Sequence, residues 1–309
     1  MEEALYSRES GYYRKKRHPA QEEGDYVTGA SFHPALASCV AACIQENLPR
    51  WEDPRFVDIG CGSGQLLANL LPCLPKEWTA VAIDLHDPEY LPVGVKHLRD
   101  LNELQEMRGV FFAYEFFDAL PCDVLTFRQG AWHELVVEET AEGAKWAEGG
   151  PATHIALEFL ERFRVGGREG QIVEVCTRAE TIYETLARKL TSGLFLTFDY
   201  GKKAQILYNP QVFPSGTLMA YRSHHMDRNV LNSKGEQDIT YAVNFTALEE
   251  AGERAGLKTL SFTTLGEFLV RFGIQQVYDN LTNREDQARV RSMIYGPMGQ
   301  DIRVLIQIR

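Results

Sequence analysis

The chain has 309 residues, 44% of them hydrophobic and 24% charged, enough for one large domain or one core with a substantial insert, and too apolar for wholesale disorder. Lys plus Arg number 32 against 43 Asp plus Glu, a net charge of −11, and a surface that acidic repels phosphate backbones, which argues against nucleic acid as the main partner. The six cysteines (Cys39, Cys43, Cys61, Cys73, Cys122, Cys176) include no CxxC pair and no Cys/His group at zinc spacing, so neither a metal centre nor a disulfide framework is expected, and reduced thiols fit a cytosol.

From the N-terminus, Met1-Glu2-Glu3 has the wrong charge for a signal peptide, and the most apolar stretch, Pro34 to Ile44, is far short of the roughly 20 residues of a membrane span. A soluble, cytoplasmic protein is expected, or a mitochondrial matrix one if the chain is a trimmed form. The basic run Arg14-Lys15-Lys16-Arg17 lies among Glu2, Glu3, Glu9, Glu22 and Glu23 and reads as a solvated face. Phe56-Val57-Asp58-Ile59-Gly60 followed by the apolar Leu66 to Leu71 predicts strand, tight turn, helix. Further strands are predicted at Trp78 to Ile83, Val93 to Leu98 and Val110 to Tyr114. A helix is predicted over Ala179 to Leu190, a strand over Leu194 to Phe198, a helix from Phe245 to Ala255 ended by Gly256, and a last strand over Ile302 to Ile308. This order suits a parallel sheet finished by an antiparallel edge strand. Only about nine residues, Leu85 to Val93, join the second and third strands, too few for the usual crossover helix. Two stretches, about 119–170 and 202–242, break the alternation and are expected to cap a binding region at the strand ends.

Asp58-Ile59-Gly60-Cys61-Gly62-Ser63-Gly64 is the most informative motif. A dinucleotide fingerprint would need GxGxxG, but position 65 is Gln, so pyrophosphate cradling is poorly supported. The G-x-G-x-G spacing of Gly60, Gly62 and Gly64 resembles the first motif of class I S-adenosylmethionine-dependent methyltransferases, where a side chain would collide with a ligand lying across the turn and the ligand carboxylate can approach backbone N–H groups. Asp84, about 20 residues on at the end of the second strand, is suited to accept hydrogen bonds from two ribose hydroxyls. Asp100 has two readings, contact with an adenine amino group or a helix N-cap. Cys61 is assigned no chemistry.

Further blocks stand out: Leu5-Tyr6 with Gly11-Tyr12-Tyr13, Gly24 to Thr28, Glu115-Phe116-Phe117-Asp118-Ala119-Leu120-Pro121, Glu174-Val175, Asp199-Tyr200-Gly201, Gly216 to His224, Gly235 to Thr240 and Gly266-Glu267-Phe268-Leu269. In this order they resemble one family, the MidA-type methyltransferases, which include the mitochondrial complex I assembly protein arginine methyltransferase. Tyr114 stands where the family usually has Asn, and Leu265 where it has Gln.

The resemblance implies a doubly wound, Rossmann-like α/β sheet of the class I methyltransferase type, S-adenosyl-L-methionine as cofactor, and an N-terminal segment, residues 1–50, closing over the cofactor site of a core spanning 51–309. The cofactor would be held by Asp58, Gly60, Gly62, Gly64, Asp84, Asp100, Tyr114 and Glu115. The acceptor implied is an arginine of a partner protein; a small molecule methylated at O or N, and a non-catalytic assembly factor, are the rival readings. Glu115, Asp118 and His224 are the candidate catalytic residues, because a guanidinium keeps its charge and needs carboxylates to orient it, while a histidine can take a proton near neutral pH. His225 reads as a solvated loop residue, and Asp238 and Thr240 match family positions. Oligomeric state is left open, a homodimer included.

Overall fold

The structure, a computed structural model, describes residues 1–14, 33–141, 143–222 and 225–309. The described residues form two compact units, one of residues 33–116, 184–200 and 249–309, the other of 1–14, 117–183 and 201–248. The first 50 residues thus divide between the units instead of forming one segment.

The first unit is built on seven strands of an eight-stranded sheet: β1 (Arg55–Ile59), β2 (Thr79–Ile83), β3 (Lys96–Leu98), β4 (Met107–Tyr114), β5 (Leu190–Lys202), β6 (Lys258–Thr264) and β7 (Ile302–Ile308). Their order is β6-β7-β5-β4-β1-β2-β3. β1, β2, β3, β4 and β5 pair in parallel, whereas β7 runs antiparallel to both β5 and β6. This is the expected mixed sheet, with the antiparallel pairing at one side; β7 sits one place in and β6 is outermost. Four of the five residues of β1 and seven of the eight of β4 are buried, because strands covered on both faces favour unbroken apolar runs over alternation.

Two glycines allow the strands to approach. Gly109 in β4 has φ +141 and Gly193 in β5 has φ +139, and a Cβ on Gly109 would run into the Arg55 backbone, one on Gly193 into the Gly109 carbonyl. The apolar stretch near residue 40 is helix α1 (Ala35–Asn47). It buries Leu36, Val40 and Ile44 in the core beside Phe56, Phe112, Phe198 and Phe268. The His33 ring opens it, its Nδ1 accepting from the Ala35 N–H at 3.1 Å. Burial pushes the Cys39 and Cys43 thiols up to about 12, so they pack as small apolar groups.

No helix occupies residues 84–95 between β2 and β3, as the short connection required. Strand β5 runs well past the predicted Leu194–Phe198 at both ends. Strand β6 and the helices Leu265–Arg271 and Arg284–Tyr295 have no counterpart in the sequence reading. Thr264 and Glu267 form a capping box at the first of these, an S/T-x-x-E signature that the local sequence does contain. Among the described residues no helix is long and apolar enough to cross a membrane.

The second unit contains an antiparallel sheet in the order Gly143–Pro151, Ala131–Thr140, Asp123–Arg128, Ile172–Val175, and a three-stranded sheet of His225–Asp227, Met219–Arg222 and Asp238–Thr240. Each has its own small core: Leu125, Trp132, Phe159 and Val173 in one, Leu5, Tyr12, Ala220 and Ile239 in the other. Buried Glu174, on the strand Ile172–Val175 that follows the first long insert, binds the second. Its carboxylate accepts from the Thr217 N–H at 2.8 Å, the Thr217 hydroxyl at 2.9 Å and the Leu218 N–H at 3.2 Å. Burial raises its carboxyl pKa, and those three hydrogen bonds oppose the shift.

Candidate functional site

The parallel register brings the C-terminal ends of β1, β2 and β4 to one rim of the sheet, with Ile59 beside Ile83 and Ala113. The chain leaves β1 through a turn with three left-handed glycines, Gly60 at φ +72, Gly62 at +54 and Gly64 at +80. The Gly60 and Cys61 N–H groups both donate to the Ile83 carbonyl, at 2.8 and 3.0 Å, which straps the turn to the end of β2. The Gly62 N–H donates to Asp84 Oδ2 at 2.9 Å. These three donors are therefore committed within the protein, so the expectation that they lie open to a ligand carboxylate is not met.

The glycines themselves are not equivalent. A Cβ on Gly60 would press on the Phe116 ring at 2.8 Å, and one on Gly64 on Pro88 at 3.2 Å, whereas one on Gly62 would meet nothing within 4 Å. Gly60 and Gly64 serve the protein's own packing; Gly62 faces open space that a ligand can fill. Helix α2 (Gln65–Leu70) follows at once, with Gly64 as its left-handed N-cap.

Asp84 is held by two amides, since its Oδ1 also accepts from the His86 N–H at 3.1 Å. A carboxylate oxygen accepts more than one hydrogen bond, so Asp84 keeps capacity for hydroxyl donors while its orientation is set. Asp58, one residue before the end of β1, is 3% exposed and its Oδ2 has no hydrogen-bond partner. Burial, then the charge of Asp84, pushes its carboxyl up to about 8. An orphaned buried oxygen, a neighbouring oriented carboxylate and open space over Gly62 together fit a polar cofactor with hydroxyl and amino groups.

Tyr114 ends β4 as a buried ring stacked on Phe198 at 5.7 Å between centroids. Glu115 follows at φ +49, its N–H donating to the Phe198 carbonyl at 2.8 Å. A non-glycine residue rarely adopts this conformation, and the bond to β5 helps to hold it there. One register step down, Thr197 is fully buried and its hydroxyl has no partner, a polar atom that the apolar run of β5 hid from sequence reading. Asp100 is exposed, and its Oδ1 accepts from the Asn102 N–H at 2.9 Å, so in this structure it serves as an N-cap.

The remaining candidates belong to the second unit. Asp118 is buried, and its backbone carbonyl accepts from the Tyr241 N–H at 3.3 Å. Tyr6 donates to the Ala119 carbonyl at 3.0 Å and Tyr13 to Asp238 Oδ1 at 2.6 Å, with the two tyrosine rings 5.5 Å apart. Burial first, then the negative charges of Asp238 and Asp118, raise the Tyr6 hydroxyl pKa. Tyr6 and Tyr13 were visible in the sequence only as members of a block; their pairing across more than 100 residues was not. His224, the Gly24 to Thr28 block and Lys15 to Arg17 lie outside the described residues, and His225 is exposed.

Comparison with known proteins bears directly on this rim. Residues 82–263 match a family described as putative S-adenosyl-L-methionine-dependent methyltransferases. The protein arginine methyltransferase NDUFAF7, mitochondrial, of Xenopus tropicalis is 24% identical over 96% of this chain and 76% of its own length. The Mus musculus protein of that name is 23% identical over 96% of this chain and 74% of its own length. A crystallised COG1565 superfamily member from Burkholderia thailandensis, bound to S-adenosyl-homocysteine, shares the fold with a TM-score of 0.88 at 24% identity, covering 100% of this chain and 86% of that one.

Proposed function

The chain belongs to the family of putative S-adenosyl-L-methionine-dependent methyltransferases and is a methyltransferase using that cofactor, and from this we propose that its acceptor is an arginine side chain of a protein. The observation that carries the reading is likeness over 96% of the chain to relatives that bear the name protein arginine methyltransferase. The site residues supply chemistry that agrees with it.

Bound S-adenosylmethionine supplies an electrophilic methyl group on a positively charged sulfur. On our reading Gly62 leaves room for that cofactor and Asp84 accepts hydrogen bonds from its ribose hydroxyls, with Gly60 and Gly64 shaping the turn and Asp58 and Tyr114 lining it. Glu115 faces the acceptor. A guanidinium keeps its proton up to a pKa above about 12, so the protein must orient it and balance its charge, and a carboxylate held by a strained, tethered backbone does both at little cost in reorganisation. For Asp118 and His224 a catalytic role on the acceptor is likewise our proposal. The reaction then depends on holding the acceptor nitrogen in line and excluding water. A reducing compartment, the cytosol or the mitochondrial matrix, suits six free cysteines, and the relatives' names carry the word mitochondrial.

The test is incubation with methyl-labelled cofactor and host lysate, followed by hydrolysis of the labelled fraction. Label recovered as methylarginine from a protein band is the expected result; label confined to small molecules overturns the reading. With that acceptor in hand, single-turnover labelling of Glu115→Gln should fall about 100-fold or more while cofactor affinity changes little, as for loss of one charged group aligned on a reacting centre. An unchanged rate at saturating cofactor and acceptor removes Glu115 from the mechanism.

A further inference from the structure

The second unit carries a hairpin that its core does not explain. Strands Ala131–Thr140 and Gly143–Pro151 pair from His133 to Thr140, and in that pair only Trp132 is buried. The outer strand has no buried residue and one strand neighbour among the described residues. The inner strand pairs with Asp123–Arg128 only as far as Glu134; beyond that, among the described residues, the two strands have only each other, so this length of the hairpin adds little to the core. Val137 lies directly opposite Trp146 in the register, and the two are 50% and 38% exposed. Around them the described hairpin residues include four glutamates, Glu134, Glu138, Glu139 and Glu148, against one lysine, Lys145. The ion pairs these residues make, Lys145 to Glu138 at 3.5 Å, Lys234 to Glu139 at 3.4 Å and Arg128 to Glu148 at 3.6 Å with His133 3.7 Å from the same carboxylate, lie at the surface, where such pairs are weak and exchange readily for stronger partners.

We infer that this hairpin is a docking arm for an extended, arginine-bearing segment of the protein substrate, an inference that rests on the arginine-acceptor reading. A strand laid along the outer edge gains main-chain hydrogen bonds at Gly143–Pro151, guanidinium groups stack on the Trp146 ring, and the glutamates attract the positive chain. The charge excludes an acidic partner and weakens the case for a second copy of this chain, itself at −11. The edge is also lightly protected: among the described residues Lys145, Glu148, one terminal proline and a single irregularity between His133 and Leu135 oppose pairing.

The experiment uses the full chain and two fluorescent synthetic peptides, one alternating Arg and Val, the other Glu and Val, with binding followed by anisotropy at low and moderate salt. The native chain should bind the Arg peptide and not the Glu peptide, Trp146→Ala should weaken that binding about tenfold, and Glu138→Lys should weaken it at low salt most. S-adenosyl-homocysteine affinity should stay at the native value in both variants, showing that the fold is intact. Equal binding of the two peptides overturns the inference, as does native-like affinity in Trp146→Ala, or a native dimer that Trp146→Ala dissolves, which would assign the edge to a second copy. The two readings separate cleanly. Peptide binding without arginine methylation sinks the acceptor reading and leaves the arm; arginine methylation with an unchanged KM in Trp146→Ala sinks the arm and leaves the acceptor reading.

Discussion

The two units differ in how they hold polar groups. Around the glycine turn, backbone amides are spent on the protein itself, Gly60 and Cys61 on Ile83 and Gly62 on Asp84, while a buried carboxyl oxygen at Asp58 and a hydroxyl at Thr197 are left without partners. In the second unit the buried carboxylate of Glu174 is met by three donors from the strand-forming insert, and Gln237 and Gln171 donate to buried carbonyls at 2.9 and 3.0 Å. An unsatisfied buried polar atom costs about 1–3 kcal/mol, so unmet groups concentrated on one rim mark where a ligand completes the structure, and met groups mark where polarity builds the fold.

Four changes would break or sharpen that contrast. Gly193→Ala has the largest expected effect, because its Cβ meets the Gly109 carbonyl and φ +139 is closed to an L side chain. We expect a loss of about 3 kcal/mol or more in denaturant unfolding, or no folded protein at all. Second, Gly62→Val should leave unfolding nearly as it was, apart from about 1–2 kcal/mol of left-handed strain, and reduce S-adenosyl-homocysteine affinity by about 100-fold in calorimetric titration. Affinity unchanged in that variant would show that the open space over Gly62 is not the cofactor's.

Third, Asp84→Ala removes an acceptor from the Gly62 and His86 amides and from the proposed ribose contact, and should weaken cofactor binding by about tenfold to 100-fold. A loss of stability with no loss of affinity would make Asp84 a purely structural strap. The fourth change concerns pH. Burial, then the charge of Asp84, raises the Asp58 carboxyl from the ordinary carboxylate range to about 8, so the folded state holds a proton that the unfolded chain releases earlier. Its contribution to stability is full below about pH 4, declines as pH rises, and is gone above about pH 8. Asp58→Asn, which cannot titrate, should flatten the stability curve across that window, and a slope identical to the native one would show that Asp58 is not the group responsible.

How much of this was legible in the sequence depended on how local the signal was. The strand Phe56–Ile59, the glycine turn, the helix after it and Asp84 all lie within 30 residues, and each element is marked by its own composition. The last strand, Ile302–Ile308, was read to the residue because an apolar run met the chain end. Strand β6, by contrast, reads Lys-Thr-Leu-Ser-Phe-Thr-Thr and is only half-buried, so it becomes a strand through pairing with β7 more than through its own pattern. The 119–170 stretch looked irregular for a related reason: its Gly and Glu content fits exposed hairpin strands, which carry no apolar alternation to detect.

The sequence by itself determined the chemistry that short spacing encodes: a strand feeding three glycines, a carboxylate at the next strand end, and Glu115 after a buried strand. These follow because backbone conformation at glycine and burial along a strand are properties of neighbouring residues. Only the tertiary structure decided that the turn's amides are already taken, that Asp58 and Thr197 stay unmet, that Asp100 caps its own turn, and that Tyr13 reaches Asp238. Hydrogen-bond partners far apart in the chain are chosen by packing, and packing is a property of the folded whole.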